Sequence, residues 1–335
     1  MPIPLGPSAR IHRLTLPLPL ALRQVNLYLV ESGEGLALVD TGMATPDARA
    51  ALQRQLARLG HHPEQIEQVF VTHFHVDHFG QAAWLQGLGA RIVMSRVDGE
   101  RLRYWFQQPQ FDRQALDYFS DLGVPQETLK RTERSMASMR SVAHPFEADH
   151  LLDDRARIEL AGQAFDLLLT PGHSPGHACL HHAATRTLLV GDHILPHITP
   201  NISISHHSDE DPLGDYRRSL LRVRGQGYAV ALPAHGENIT QVDRRVDEIL
   251  EHHLQRELLL LSLMTDGPRS CYTLSEGLFR ISELDGWETL MAVGETLAHL
   301  RALEVQGRVG AVREDGVTLY CLLHPPTPPD HSAPC

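Results

Sequence analysis

The chain reads as an α/β protein followed by a small, mainly helical domain. Three observations predict this. Short apolar runs rich in β-branched residues alternate with helix-spaced segments over residues 11–95. Beyond residue 241 the pattern changes to long helical stripes. The chain has 335 residues, 42% of them hydrophobic, enough for two cores rather than one.

The elements follow in order. Residues 11–16, 26–31 and 35–42 read as strands, the last two forming a hairpin turned at Gly33 and Gly35. Residues 46–60 carry Ala48, Leu52, Leu56 and Leu59 at helical spacing and stop at Gly60. "IEQVFVTH" is a strand, "FGQAAWLQGLG" a short helix and "RIVMS" the next strand. Residues 97–145 break the rhythm: they are polar, helical in pattern, and carry Tyr104, Trp105, Phe106, Phe111, Tyr118 and Phe119. They are expected to form a helical insertion whose aromatics pack a small core or line a pocket. Strands resume with "RIELAG", "AFDLLLTPGH" and "ACLHHAATRTLLVGD", the last a hairpin turning near 184–186. A helix over 215–227 leads to the strand "YAVALPAHG".

The boundary between domains is placed near residue 240. A long helix from 241, a short helix opened by a Thr273–Glu276 capping box, a third helix ending at Gly307 and a hairpin turning at Asp315–Gly316 follow. That order, over 241–323, is the order of a winged helix. The Pro-rich tail, 324–335, is expected to be disordered, and "SHHSDED" (205–211) to be a solvated loop.

Composition narrows the classes of function. The formal net charge is −11, which works against non-specific binding to nucleic acid. The third helix has Glu288, Glu295 and Glu304 against Arg301, and the hairpin balances Arg308 and Arg313 with Glu314 and Asp315. This is a poor surface for reading DNA, so packing on the first domain or pairing as a homodimer is the expected role. Cys179, Cys271, Cys321 and Cys335 form no C-x-x-C pair and suggest no disulfide framework. Pro17 and Pro19 break the one apolar stretch near the start, and no run approaches a membrane span of about 18 residues. A soluble, cytoplasmic protein with a small-molecule substrate and no membrane partner is expected.

The chemistry is concentrated in "VTHFHVDHFG", residues 71–80. His73 and His75, two apart, can aim both imidazoles at one cation, and Asp77 and His78 can face a second. Such a turn is an incomplete ligand set, so further donors are expected downstream. They occur with one grammar: a buried strand, then Gly or Pro, then a ligand-type residue. "LLLTPGH" ends in His173, "TLLVGD" in Asp192 and "AVALPAH" in His235. His177, in the same turn as His173, is read as a buttress. His193, His197 and Asn201 follow Asp192 where a pocket mouth is expected, and are candidates for substrate binding.

On these residues the chain resembles the metallo-β-lactamase-fold hydrolases. HFHVDH matches their H-x-H-x-D-H signature. His173, Asp192 and His235 match the later metal positions, and Asp40 of "LVDTG" matches a loop-scaffold position. The resemblance covers about residues 10–240. It implies an αββα sandwich with two divalent cations at one edge, zinc by expectation, with iron and manganese as alternatives. It places His73, His75 and His173 at the first cation, Asp77, His78 and His235 at the second, and Asp192 between them. It implies a hydrolase using a hydroxide that bridges the metals, with Asp77 to orient it or take its proton. The C-terminal pattern is similar to the β-lactamase-like-protein-2 group, which includes hydrolases of thioesters and an endoribonuclease. A small ester, thioester or lactone is the expected substrate. A metal-dependent ribonuclease or phosphodiesterase and a mononuclear iron persulfide dioxygenase are the competing readings.

Overall fold

The structure, a computed structural model, describes residues 2–108, 110–204 and 211–323. Both the tail from 324 and most of the 205–211 run lie outside the described residues. The described chain divides into two compact units. The first holds 1–111, 136–201 and 215–250; the second holds 112–135, 202–214 and 251 onward.

In chain order the elements begin with β1 (Ile3–Pro4), β2 (Arg10–Pro17), β3 (Gln24–Ser32), β4 (Gly35–Val39), α1 (Pro46–Arg58) and β5 (Ile66–Val71). Then come α2 (Val76–Phe79), α3 (Ala82–Gly87), β6 (Arg91–Ser95), α4 (Arg96–Gln107), α5 (Phe111–Asp121), α6 (Gln126–Ser141) and β7 (His150–Leu152). β8 (Arg157–Leu160), β9 (Gln163–Leu169), β10 (Ala178–His182), β11 (Thr187–Gly191), α7 (Pro212–Val223) and β12 (Val230–Pro233) follow. The chain closes with α8 (Val242–Leu263), β13 (Arg269–Ser270), α9 (Cys271–Leu278), α10 (Gly286–Val305), β14 (Val309–Glu314) and β15 (Val317–Leu322).

The first unit holds two sheets. One runs β1 to β7 in strict sequence order; the other runs β12-β11-β10-β9-β8. Alternation along the strands builds two cores, because successive side chains leave a strand on opposite faces. In β3, Val25, Leu27 and Leu29 face one way, toward Ala48, Leu52 and Leu56 of α1. Tyr28 and Val30 face the other, into the core shared with Phe165, Leu167, Leu180 and Leu189 of the second sheet. β4 and β6 repeat this split: Leu36, Leu38, Ile92 and Met94 join the helix-side core, and Ala37, Val39 and Val93 the inter-sheet core. A register shift against β4 lets Ile66 and Val69 of β5 share one face despite their spacing. The expected sandwich is therefore present, with helices covering the outer face of the first sheet.

The second unit carries the three-stranded sheet β13-β15-β14 with α9 and α10. Asp315 and Gly316 both have positive φ, 47° and 82°, as a tight hairpin turn requires. The expected capping box at Thr273 does not form. Helix α9 starts earlier, at Cys271, because the Ser270 hydroxyl accepts from Thr273 N and so makes Ser270 the cap. The box lies instead at Asp285 and Glu288, opening α10. The helices over 96–141 occur as expected, but α4 belongs to the first unit, whereas α5 past Phe111 and α6 through Ser135 belong to the second. Their aromatics are divided: Trp105, Phe106, Phe111 and Tyr118 are half-buried and Tyr104 is exposed. Trp105 and Phe106 pack edge-on against Phe79 at 6.4 and 6.1 Å, and Phe119 is buried.

Candidate metal centre

Every expected ligand stands at or just beyond the C-terminal end of a strand, where the strands of the first unit stop and their loops begin. β5 delivers Thr72 and His73, β9 leads to His173, β11 to Asp192 and β12 to His235. His75 is the N-cap of α2, so Asp77 and His78 stand on a single helical turn rather than an extended strand.

The loops are held by hydrogen bonds that also fix each ring. Asp40, at φ 62°, turns its carboxylate to accept from Thr72 N at 2.8 Å and from His78 Nδ1 at 2.8 Å. The Thr72 hydroxyl, 2.9 Å from Asp40 Oδ2, gives its one proton there and accepts from His73 Nδ1 at 3.0 Å. His173 Nδ1 donates to Asn201 O at 2.8 Å, and His235 Nδ1 donates to Gln24 O at 2.7 Å. A histidine whose Nδ1 proton is engaged presents a bare Nε2, the form that binds a metal. His75 turns its other nitrogen inward: its Nδ1 is 3.0 Å from His73 Nε2. His177 is the expected buttress. Its Nδ1 meets Thr170 Oγ1 at 2.7 Å, and its Nε2 accepts from Asp192 N at 3.1 Å.

All seven expected ligands converge. Donor atoms of His73, His75 and His173 lie within 4.8 Å of one another, as do those of Asp77, His78 and His235, and those of His73, His78 and Asp192. Asp192 is central: one oxygen is 3.5 Å from His173 Nε2 and 3.6 Å from His78 Nε2, and the other is 3.5 Å from His235 Nε2. Four of these atoms, the Nε2 of His78, His173 and His235 and Oδ1 of Asp192, are buried with no hydrogen-bond partner among the described residues. Buried polar atoms left without partners are costly. A tetrahedral ion with ligands about 2.0–2.1 Å away holds those ligands about 3.3 Å apart. The observed spacings and the orphaned atoms therefore fit a divalent cation.

The charges divide along the two donor sets. Burial and neighbouring imidazoles push His73 well below its usual range, and burial with His173 nearby takes His75 down to about 3. His78 and His235 move the other way. Burial disfavours their charge, but Asp77, Asp40 and Asp192 outweigh it for His78, and Asp192 and Asp77 raise His235 to about 10. Burial alone would raise Asp77, yet the charges of His78 and His235 draw it down to about 2.

A prediction follows from this sign pattern. In the metal-free protein at neutral pH, His78 and His235 carry protons that a metal must displace. Titration calorimetry of zinc into metal-free protein, in buffers of different protonation enthalpy, should show net proton release. Zero release would overturn the charge assignment. The raised value of His235 also means that its contribution to metal-free stability is complete below its ordinary value of 6.5 and is lost as pH rises through about 10.

The substrate-side expectations fare differently. His197 is exposed on the loop after Asp192. Asn201 supplies its backbone carbonyl to His173. His193 is wholly buried, its ring 5.4 Å from Tyr216 and 6.0 Å from His177, with no exposed atom to offer a substrate. Tyr216 OH donates to His193 O at 2.8 Å and Ser219 Oγ to Pro171 O at 2.8 Å, so α7 braces the loops of Asp192 and His173. No expectation included Tyr216 or Ser219; their side chains lie on an ordinary amphipathic helix.

Sandwich and ligand cluster together are those of the metallo-hydrolase family. The chain belongs to the metallo-beta-lactamase superfamily, whose model matches residues 20–235. Residues 258–322 match the model described as "Metallo-beta-lactamase-like, C-terminal domain". The chain is 28% identical over 315 residues to the "Probable metallo-hydrolase YqjP" of Bacillus subtilis (strain 168), covering 91% of this chain and 95% of that one. It is 27% identical over 252 residues to the "Beta-lactamase-like protein 2 homolog" of Caenorhabditis elegans, covering 75% and 68%. Among solved structures, a metallo-beta-lactamase family protein from Thermus thermophilus superposes with a TM-score of 0.85 at 33% identity, over 96% of this chain and all of that one. No helix among the described residues is long and apolar enough to cross a membrane.

Proposed function

We propose that the protein hydrolyses a small ester, thioester or lactone with the help of two divalent cations, zinc by expectation. The observation that carries this is the convergence of orphaned buried ligand atoms around Asp192. His73, His75 and His173 would hold one cation, Asp77, His78 and His235 the other, with Asp192 shared. Such cations, when bound, polarise an acyl oxygen and lower the pKa of water from near 16 to about 7. Asp77, kept ionised, is a hydrogen-bond acceptor able to orient the attacking water. Its carboxyl, drawn down to about 2, makes it better suited to orienting than to keeping a proton. Phe74, whose ring lies 5.1 Å from that of His75, gives the neighbourhood an apolar wall suited to an acyl group.

We read the second unit as a winged helix with a structural role. Helix, strand, helix, helix and hairpin follow in that order. Two of its basic side chains are engaged: Arg313 pairs with Asp121 at 3.0 Å and Arg301 with Glu304 at 3.3 Å. This favours a small substrate over a polynucleotide.

Elemental analysis of protein purified without added metal tests the reading, with two equivalents expected. A panel of esters, thioesters and lactones should then yield hydrolysis that a chelator abolishes and zinc restores. RNA cleavage falling steeply with salt would favour the phosphodiesterase instead. A single iron with oxygen uptake would favour the dioxygenase.

A further inference from the structure

Asp98 lies in the first turn of α4, a place where an acidic residue ordinarily faces water and the helix dipole. Here it is wholly buried. The capping is done by Ser95, whose hydroxyl accepts from Asp98 N at 3.2 Å. The Asp98 carboxylate is thus free to turn inward, onto two loops. Oδ2 accepts from Phe74 N at 3.1 Å, between His73 and His75, and from Ser174 Oγ at 2.6 Å, beside His173. Oδ1 accepts from Gly176 N at 2.6 Å. Ser95 Oγ donates to Gly176 O at 2.5 Å, closing the same joint. The approach is tight enough to require glycine: a Cβ at 176 would lie 2.5 Å from both Asp98 N and Ser95 Oγ.

One carboxylate therefore joins the loop of His73 and His75 to the loop of His173. None of its donors adjoins Asp77, His78 or His235, whose brace is Asp40 and the Gln24 carbonyl. Burying a carboxylate is unfavourable, and burial pushes Asp98 up to about 6 in spite of three donors. Three buried donors from two loops converge on the one carboxylate, and a neutral side chain would leave at least one of them unpaired.

We propose that Asp98 is a positioning residue for the first cation: it sets the mutual placement of His73, His75 and His173 without touching the metal. This rests on the metal reading above. The variant Asp98→Asn keeps the volume but not the pattern. Either orientation of the amide turns its NH2 toward a backbone N–H, of Phe74 or of Gly176.

The test is zinc binding measured by competition with a chromophoric chelator. Wild type, D98N, S174A, H173A, H235A and D98N combined with each histidine variant are compared. D98N should weaken binding about 10–100-fold in the wild-type and H235A backgrounds, the range for outer-shell partners of metal ligands. In H173A, where the first site is already broken, it should add little. S174A should act in the same direction and carries the comparison if D98N does not fold. A merely structural role would weaken binding alike in both histidine backgrounds, and that result, or no weakening at all, would overturn the inference. A wild type that binds no zinc would overturn the metal reading with it; a wild type that binds, with D98N unaffected, would overturn this inference alone.

Discussion

Changing Asp192 to Asn should lower kcat/KM for the best substrate of the panel by more than about a hundredfold, beyond the range typical of outer-shell changes. The substitution keeps size and removes charge at a carboxylate that stands within 3.6 Å of three imidazoles. His78 and His235 owe their raised values to it in part, and lose that support. Elemental analysis should show metal content falling along with activity, and circular dichroism should show secondary structure unchanged. His75→Ala should behave similarly, since its Nδ1 faces His73 Nε2 in the other half of the cluster. Full activity in either variant would sink the metal mechanism.

Replacing Gly80 by Ala should be as damaging to the fold as Asp192→Asn is to the chemistry. Gly80 closes the ligand turn directly after His78 and Phe79. A Cβ there would lie 2.5 Å from Val76 O, 2.7 Å from Ala44 N and 2.8 Å from Gly42 O. All three are backbone atoms, locked by Thr41 N→His78 O at 2.7 Å and Gln81 N→Gly42 O at 3.1 Å, so none can yield cheaply. Overpacking typically costs about 1–3 kcal/mol, and contacts to backbone atoms place this site toward the upper end. Denaturant unfolding of metal-free protein measures it, and a loss below about 0.5 kcal/mol, the range of harmless surface changes, would contradict the contact geometry.

The candidate ligands were legible because each is local: four stand together in HFHVDH, and the other three each follow an apolar strand and a Gly or Pro. Strand faces were legible for the same reason, as Val25, Leu27 and Leu29 against Tyr28 and Val30 show. What escaped depends on contacts between segments distant in sequence. "SRVDG" gives no sign that Asp98 turns inward to Phe74, Ser174 and Gly176. Nothing local to His193 records that its ring is buried beside that of Tyr216. Ser270 outcompeted Thr273 as a cap because β13 sets the chain extended just before it, as an N-cap requires. The split of residues 97–145 between two units is likewise set by packing that no local pattern records.

The ligands run from His73 to His235 and come from four separate strand ends. A zinc finger gathers its ligands within one short stretch, so the ion can organise the chain around itself. Here a cation would have to close loops of many tens of residues at once, an entropic cost that grows with loop length. The two sheets must meet that cost first, strand beside sequential strand, and β12 with His235 is the last strand of the sandwich to leave synthesis. A cation would then be held fully by the completed sandwich alone, because a truncated or misregistered chain lacks a full set of donors. By mass action, a free ion at a hundred times its dissociation constant adds about 2.7 kcal/mol to the finished state alone.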